Sequence, residues 1–170
     1  MNFAKKIQTS RFWKYTLAAQ KAVIVLSTLC VVITLGAVIV CRYVLHYNFL
    51  GYIEIIVTAA IWMYFIGASY ASWDECHINA DIVSQFVSDR TKIILEIISK
   101  TFQVLIGIPM TYLAYEMLTF DFQTNPVTVD LQIPLAFHHI AILISFALMA
   151  FYSAVYILRD VDRLKNLKNN

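Results

Sequence analysis

The chain has 170 residues, of which 60% are hydrophobic and 14% are charged, and its formal net charge is +2. Soluble domains carry roughly 25% charged residues, so this composition is unlike that of a soluble enzyme. The small net charge is equally unlike that of a nucleic-acid-binding surface, and we expect no nucleic-acid partner. The three cysteines (Cys30, Cys41 and Cys76) have no zinc-type spacing and cannot close a disulfide framework among themselves, so we interpret them as small apolar residues.

Four apolar runs divide the chain, and each is long enough for one helix to cross a bilayer, which takes about 20 residues. The predicted fold class is therefore an all-α membrane protein, a single four-helix membrane bundle over residues 1–170. The predicted transmembrane helices cover residues 22–41, 55–73, 93–118 and 131–158. Glu116 falls in the last turn of the third run, so this division leaves no acidic residue in the middle of a span.

The basic residues indicate how the spans are oriented. Apart from Arg42, every lysine and arginine lies before the first span, around the connection between the second and third spans, or after the fourth. Basic residues in short loops stay on the cytoplasmic side of a membrane. Both termini are therefore predicted to be cytoplasmic, in a multi-pass protein of the bacterial inner membrane.

Two segments outside the spans are predicted to lie along the membrane surface. Residues 77–90, between the second and third spans, form a cytoplasmic amphipathic segment with Ile82, Val83 and Phe86 on its apolar face. Residues 2–15 mix aromatic and basic side chains, a pattern typical of a segment that contacts anionic lipid. An ordinary polar loop is the alternative for either segment.

Glu54 and Arg42 are the charged residues at the outer ends of the first two spans. The connection between these spans can fold back and pair them, and we interpret the pair as a structural contact that fixes the register of two helices. Alternatively, Glu54 binds a proton in a small stand-alone exporter, or the two side chains are solvated separately. On the other side of the membrane, Glu96 and Lys100 are four residues apart and are predicted to neutralise each other.

The histidines raise the alternative of a redox anchor. His46, His138 and His139 would be the ligands of a haem or a quinone, although a haem held between helices requires histidines that face each other within the spans. His77 and Asp81 lie one helical turn apart, which favours a side-chain pair over a metal site. We therefore predict no catalytic residue, no cofactor and no metal.

The second span contains two small residues, Gly67 and Ala68. Small side chains let another helix approach closely, and packing within the chain explains them as well as a partner protein does. Trp62 lies in the middle of the same span and not at the membrane interface, so we expect it to contact protein as well as lipid.

An ordered series of motifs over residues 42–81 resembles the small permease (Q) subunit of the tripartite ATP-independent periplasmic (TRAP) transporters. In that family, Arg-Tyr closes the first span and an acidic pair opens the second. A tryptophan and a Gly-Ala pair follow within the second span, and then His-Ile with an aspartate three residues after the histidine. The matching positions are Arg42, Tyr43, Glu54, Trp62, Gly67, Ala68, His77, Ile78 and Asp81, with Ile53 in place of the first acid of the pair.

The resemblance implies a subunit without catalysis or sodium ligands of its own. It would be a scaffold beside the large permease (M) subunit, which carries the moving transport domain, the substrate site and the sodium sites. It also implies a periplasmic substrate-binding protein that delivers an organic acid, such as sialic acid or a dicarboxylate, for sodium symport. The motif residues are then structural or partner-interface candidates: Arg42, Tyr43, Glu54, Trp62, Gly67, Ala68, His77 and Asp81.

Overall fold

The computed structural model describes residues 11–74 and 89–168, with side chains for residues 13–74 and 91–165. Four α-helices make up most of this part of the chain: α1 (Arg11–Tyr43), α2 (Tyr52–Trp73), α3 (Asp89–Thr124) and α4 (Ala136–Lys168). Each helix is long and apolar enough to cross a membrane, which confirms the prediction of an all-helical chain with four spans. Within the described ranges the only β-type contact is an isolated bridge between Val127 and Pro134.

The helices differ from the predicted spans at their ends. α1 begins at Arg11, so residues 11–15, which were predicted to belong to a surface-lying segment, continue the first spanning helix. α3 continues to Thr124 and ends where Asn125 adopts a left-handed φ of 45°, a common way to terminate a helix. The fourth helix begins at Ala136 and not at residue 131, because the residues before it form a turn that leads through Pro134.

The four helices of the predicted bundle lie side by side in a row. Among the described residues, α1 packs mainly on α2, α2 on α4, and α4 on α3, so α1 and α3 lie at the two edges of the row. The edge helices also reach past their neighbours at one end, where Trp13 of α1 contacts Tyr152 of α4 and Gln103 of α3 bonds to α2, but elsewhere the row exposes two broad faces. Many large apolar side chains, such as Ile33 and Leu105, are consequently exposed on it.

Two sets of contacts fix the register of the row. α2 and α4 run parallel, with Thr58 beside His138 and the Phe65 carbonyl beside Ser145. α3 and α4 run antiparallel, because Lys100 contacts Asp160 whereas Asp121, later in α3, contacts His139 near the start of α4. Between these contacts the two helices approach closely, since a Cβ built on Gly107 would lie 3.1 Å from the Cβ of Ala150. We call the end of the row at the start of α2 the Glu54 end, and the opposite end, where α2 finishes at Trp73, the Lys100 end.

The core of the row lies toward the Lys100 end and is aromatic. Trp13 of α1 is only 2% exposed, and its ring centroid lies 4.6 Å from that of Trp73 and 5.0 Å from that of Tyr152. Tyr156 extends this cluster and donates a hydrogen bond to the Trp73 carbonyl at 2.6 Å. Aromatic pairs at these separations stabilise a core beyond the area they bury. The cluster therefore joins α1, α2 and α4.

Candidate functional site

Glu54 joins two segments of the chain that are far apart in sequence. It lies in the first turn of α2, and its carboxylate accepts hydrogen bonds from the connection between α3 and α4. The Thr128 hydroxyl donates at 2.6 Å, and the Asp130 and Leu131 backbone N–H groups each donate at 2.8 Å. Hydrogen bonds to an ionised acceptor are roughly twice as strong as neutral ones. Glu54 therefore holds the 125–135 connection against the end of α2.

The same connection approaches the chain closely at Gly51, just before α2. Gly51 has a φ of +80°, and a Cβ built there would lie 2.7 Å from Cγ of Leu131. A residue with a side chain is disfavoured by that φ and would also collide with Leu131. Gly51 therefore allows the connection to sit close enough for its amides to reach Glu54.

Arg42 does not pair with Glu54 in the described structure, contrary to the interpretation from the sequence. Its side chain is exposed and lines a cleft of about 350 Å³ together with Tyr47 and Asp130. The reason is competition, because two backbone amides and a hydroxyl already converge on the carboxylate. Tyr43, the neighbour of Arg42 in the motif, is 71% exposed.

Both histidines of α4 contact side chains of neighbouring helices. The hydroxyl of Thr58 donates its one proton to the Glu54 carbonyl at 2.7 Å, so His138 Nε2, 2.7 Å away, is the donor to that hydroxyl. His139 Nδ1 contacts the buried carboxylate of Asp121 on α3. These contacts tie α4 to both of its neighbours. No three His, Cys, Asp or Glu side chains of the described residues are grouped so that they could hold a metal ion.

A buried ion pair connects α3 and α4 at the Lys100 end. The Lys100 ammonium contacts Asp160, and both side chains are 0% exposed. Asp160 also receives Arg159 Nε at 3.0 Å and Arg163 at 3.5 Å. The pairing of Lys100 with Glu96 that the sequence predicts is present at 4.0 Å, but Asp160 is the closer partner.

Polar side chains also cross between helices beside the aromatic cluster. The buried Gln20 amide of α1 donates to the Ser69 hydroxyl of α2 at 2.9 Å, and the Tyr152 hydroxyl of α4 lies 3.4 Å from the Gln20 carbonyl oxygen. Gln103 of α3 donates to Ser72 of α2 at 2.9 Å. Each of these bonds satisfies polar groups that the hydrocarbon could not solvate.

Trp62 contacts protein on one side, as we expected. Its ring centroid lies 5.0 Å from that of Phe137, and it lines an apolar cleft of about 430 Å³ between α1 and α2. At Gly67 a built Cβ would meet no atom of the described chain within 4 Å, so of the two explanations for this small residue the described contacts do not supply packing within the chain. The close helix contact lies instead at Gly107, and Ala68 is half-buried. Within this chain, therefore, Gly67 is not required by packing.

The structure brings only some of the motif residues together. Glu54 and Trp62 take part in contacts between elements, whereas Arg42 and Tyr43 are exposed. His77 and Asp81 lie outside the described residues.

Reasoning from the sequence missed several residues that hold the helices together. Asp160 is the clearest case, and its signal was an acid that closely follows the fourth apolar run, ahead of Asp162 and among basic residues. Asp121 carried a similar signal, since it is an ionisable group just after an apolar run, whereas its partner His139 was considered from the sequence only as a haem or quinone ligand. Trp13 gave no such signal, because its surroundings are basic and resemble a surface segment.

Comparisons with known proteins agree with a membrane role. The family model described as "Tripartite ATP-independent periplasmic transporters, DctQ component" matches residues 29–163. That range includes Glu54, both histidines of α4 and the Lys100–Asp160 pair. A search of curated proteins found no match.

Proposed function

Since the chain belongs to the DctQ component family of the tripartite ATP-independent periplasmic transporters, we propose that it is a non-catalytic scaffold within such a transporter. It is a multi-pass membrane protein and a component of a transport complex. In this proposal its direct partner is the large permease (M) subunit, and a periplasmic substrate-binding protein completes the complex. The cargo would be an organic acid, such as sialic acid or a dicarboxylate, moved with sodium.

The observation that carries the proposal is that polar side chains of the helices bind other helices or the connections between them. Glu54 accepts hydrogen bonds from the 125–135 connection, His138 and His139 contact neighbouring helices, and Lys100 pairs with Asp160. Groups engaged in this way fix helices relative to one another. A stationary support for a moving transport domain requires this rigidity, and its thin row leaves broad apolar faces for a larger partner.

The alternative of a stand-alone exporter is less well supported by the surroundings of Glu54. A proton carrier needs a carboxylate that can exchange its partners near the middle of the membrane. Both oxygens of Glu54 are instead held by the Thr128 hydroxyl and by backbone N–H groups at one end of the row. A haem or quinone anchor is disfavoured in the same way, because His138 and His139 already have side-chain partners.

We further propose that the Lys100 end faces the cytoplasm of a bacterial cell. Arg159, Arg163 and Lys165 cluster at this end with Lys100, and basic residues are retained on the cytoplasmic side. The Glu54 end would then face the periplasm, where a substrate-binding protein approaches. Cysteine labelling at Tyr47 and at Lys165 in intact cells tests the orientation, and labelling of Lys165→Cys from outside would overturn it.

Co-expression with the large permease subunit of the same genome tests the proposed function. We expect the two chains to purify together in mild detergent. In proteoliposomes, we expect the pair to take up an organic acid only when a sodium gradient and the binding protein are supplied. Failure of the two chains to associate, or full uptake by the large subunit without this chain, would contradict the proposal.

A further inference from the structure

Glu116 lies at the middle of the membrane-spanning row and not at its edge. The prediction placed it in the last turn of the third span, but α3 continues for two more turns to Thr124. Tyr115 lines the same groove as Leu143 of α4, and Ser145 of α4 contacts the Phe65 carbonyl of α2. Glu116 therefore stands level with the middle of α2, about 16 Å from either end of that 22-residue helix at 1.5 Å per residue.

The Glu116 side chain also points away from the rest of the chain. Lys100, Gly107, Ala114 and Asp121 are the buried residues of α3, and their seven-residue spacing marks the side that packs on α4. Glu116 is two residues beyond Ala114, which places it about 200° around the helix and on the opposite side. It is exposed, and its hydrogen bond partner among the described side chains is the Tyr112 hydroxyl, which donates at 2.6 Å.

A second feature of the same side of α3 also exposes a polar group. Pro109 lies inside the helix and has no N–H, so the carbonyl of Leu105 cannot receive its usual helical hydrogen bond. Leu105 and Pro109 are themselves exposed. We call the side formed by Leu105, Pro109, Tyr112 and Glu116 the outer face of α3. It carries a carboxylate and a hydroxyl at the depth where lipid offers them no hydrogen-bond partner, and the Leu105 carbonyl lies on the same side but nearer the Lys100 end.

We propose that the outer face of α3 docks against a transmembrane helix of the large permease subunit, which places a lysine, an arginine or another hydrogen-bond donor opposite Glu116. Carboxylates within membrane spans almost always face protein or a water-filled cavity and are paired there. Lipid chains offer the carboxylate no donor. A second copy of this chain, packed face to face about a twofold axis, would bring two Glu116 carboxylates together and offer neither a donor beyond its own Tyr112 hydroxyl. A donor-bearing partner helix is the occupant that matches the charge.

This inference rests on the proposed function, since it names the surface by which the scaffold holds its partner. The two edges of the row also differ in charge, because α1, at the edge opposite α3, has no acidic residue from Lys14 to Tyr43. The row would thus attach through α3.

Photocrosslinking in the co-expressed complex tests the inference directly. A benzophenone amino acid replaces Tyr112, next to Glu116 on the outer face of α3. We expect an irradiation-dependent adduct that contains the large subunit. An adduct between two copies of this 19.5-kDa chain, or an adduct with lipid alone, would overturn the inference.

Substitution of Glu116 supplies a second readout. Glu116→Leu should lower the yield of co-purified large subunit about tenfold or more, because the partner's donor would be buried without an acceptor. Glu116→Gln keeps an acceptor and should cause a smaller loss. Met117→Leu, at the same depth and also exposed, is the matched control and should leave the yield unchanged.

The folding of the isolated subunit distinguishes an interface role from a structural one. Since Glu116 contacts only Tyr112 among the described side chains, Glu116→Leu should leave the melting temperature of the isolated subunit unchanged or raise it. Normal assembly of Glu116→Leu, with no adduct at Tyr112, would overturn the inference while leaving the proposed function intact. If wild-type chain does not associate with the large subunit at all, both fail.

Discussion

Removing either partner of the buried Lys100–Asp160 pair should lower the stability of the subunit, and removing Asp160 should lower it more. Lys100→Met and Asp160→Asn each remove one partner while keeping the side-chain volume similar. After Asp160→Asn, the fully buried ammonium of Lys100 loses its closest carboxylate, and Glu96 lies farther away at 4.0 Å. Breaking a buried pair in this way costs about 3–5 kcal/mol.

The reverse substitution should cost less. After Lys100→Met, Asp160 still receives Arg159 Nε at 3.0 Å and Arg163 at 3.5 Å. The loss is then about 2 kcal/mol, the size of one hydrogen bond to a charged group. For a chain of this length each kcal/mol moves the melting temperature by about 2–4 °C, so we expect drops of roughly 10 °C for Asp160→Asn and roughly 5 °C for Lys100→Met.

Circular dichroism melts of the purified subunit in mild detergent measure both drops. The double variant should lose less than the sum of the single losses, since neither charge is then left without its partner. Equal losses for the two single variants, or losses that add in the double variant, would refute the account of this pair.

Three further predictions concern other contacts. Gly51→Ala should lower the melting temperature, because Gly51 has a φ of +80° and Leu131 lies close to it. Gly67→Ala, at a helical site with open space, should leave the melting temperature unchanged or raise it by an amount equivalent to about 1 kcal/mol. Equal effects of the two substitutions would contradict this. Glu54→Gln should speed hydrogen exchange at the two backbone amides that donate to Glu54 by about tenfold or more, whereas Arg42→Ala should leave it unchanged. Faster exchange in Arg42→Ala than in Glu54→Gln would support an Arg42–Glu54 pair instead. Gly107→Val should separate α3 from α4 and cost about 1–3 kcal/mol, measured by the same melts, and an unchanged melt would contradict the close contact there.

The existence of the four helices could be predicted from the sequence because it depends only on the length and polarity of each run. Their lateral order could not. Whether α4 packs beside α2 or α1 depends on pairs such as Thr58 with His138, 80 residues apart in the chain, and no local pattern encodes such a pair. The sequence therefore predicted a four-helix bundle but not the order of the helices within it.

The misplacement of Glu116 has a related cause. Boundaries of the spans were set at charged residues, on the assumption that a charge marks the membrane surface. That assumption holds for Arg42 and Glu54, which lie at one end of the row. It fails for a charge that is destined for a protein partner, because such a residue can lie at mid-depth on an apolar helix.

Only part of the candidate site could be predicted from the sequence, because local patterns do not show which distant segments meet. Glu54 could be singled out from the sequence because it stands at the start of a span. Its hydrogen-bond partners belong to the 125–135 connection, and the turn in that connection could not be predicted from composition. Trp13 was assigned to a surface segment because of its basic neighbours, yet its ring fills the aromatic core.

Sodium-coupled uptake measured in proteoliposomes tests the central claim most directly, namely that this chain supports a transporter without carrying cargo itself. Vesicles would contain this chain alone, the large permease subunit alone, or both, each with the substrate-binding protein and a sodium gradient. The account predicts no uptake by this chain alone and full uptake only when both are present. Uptake of solute or sodium through this chain alone would contradict it.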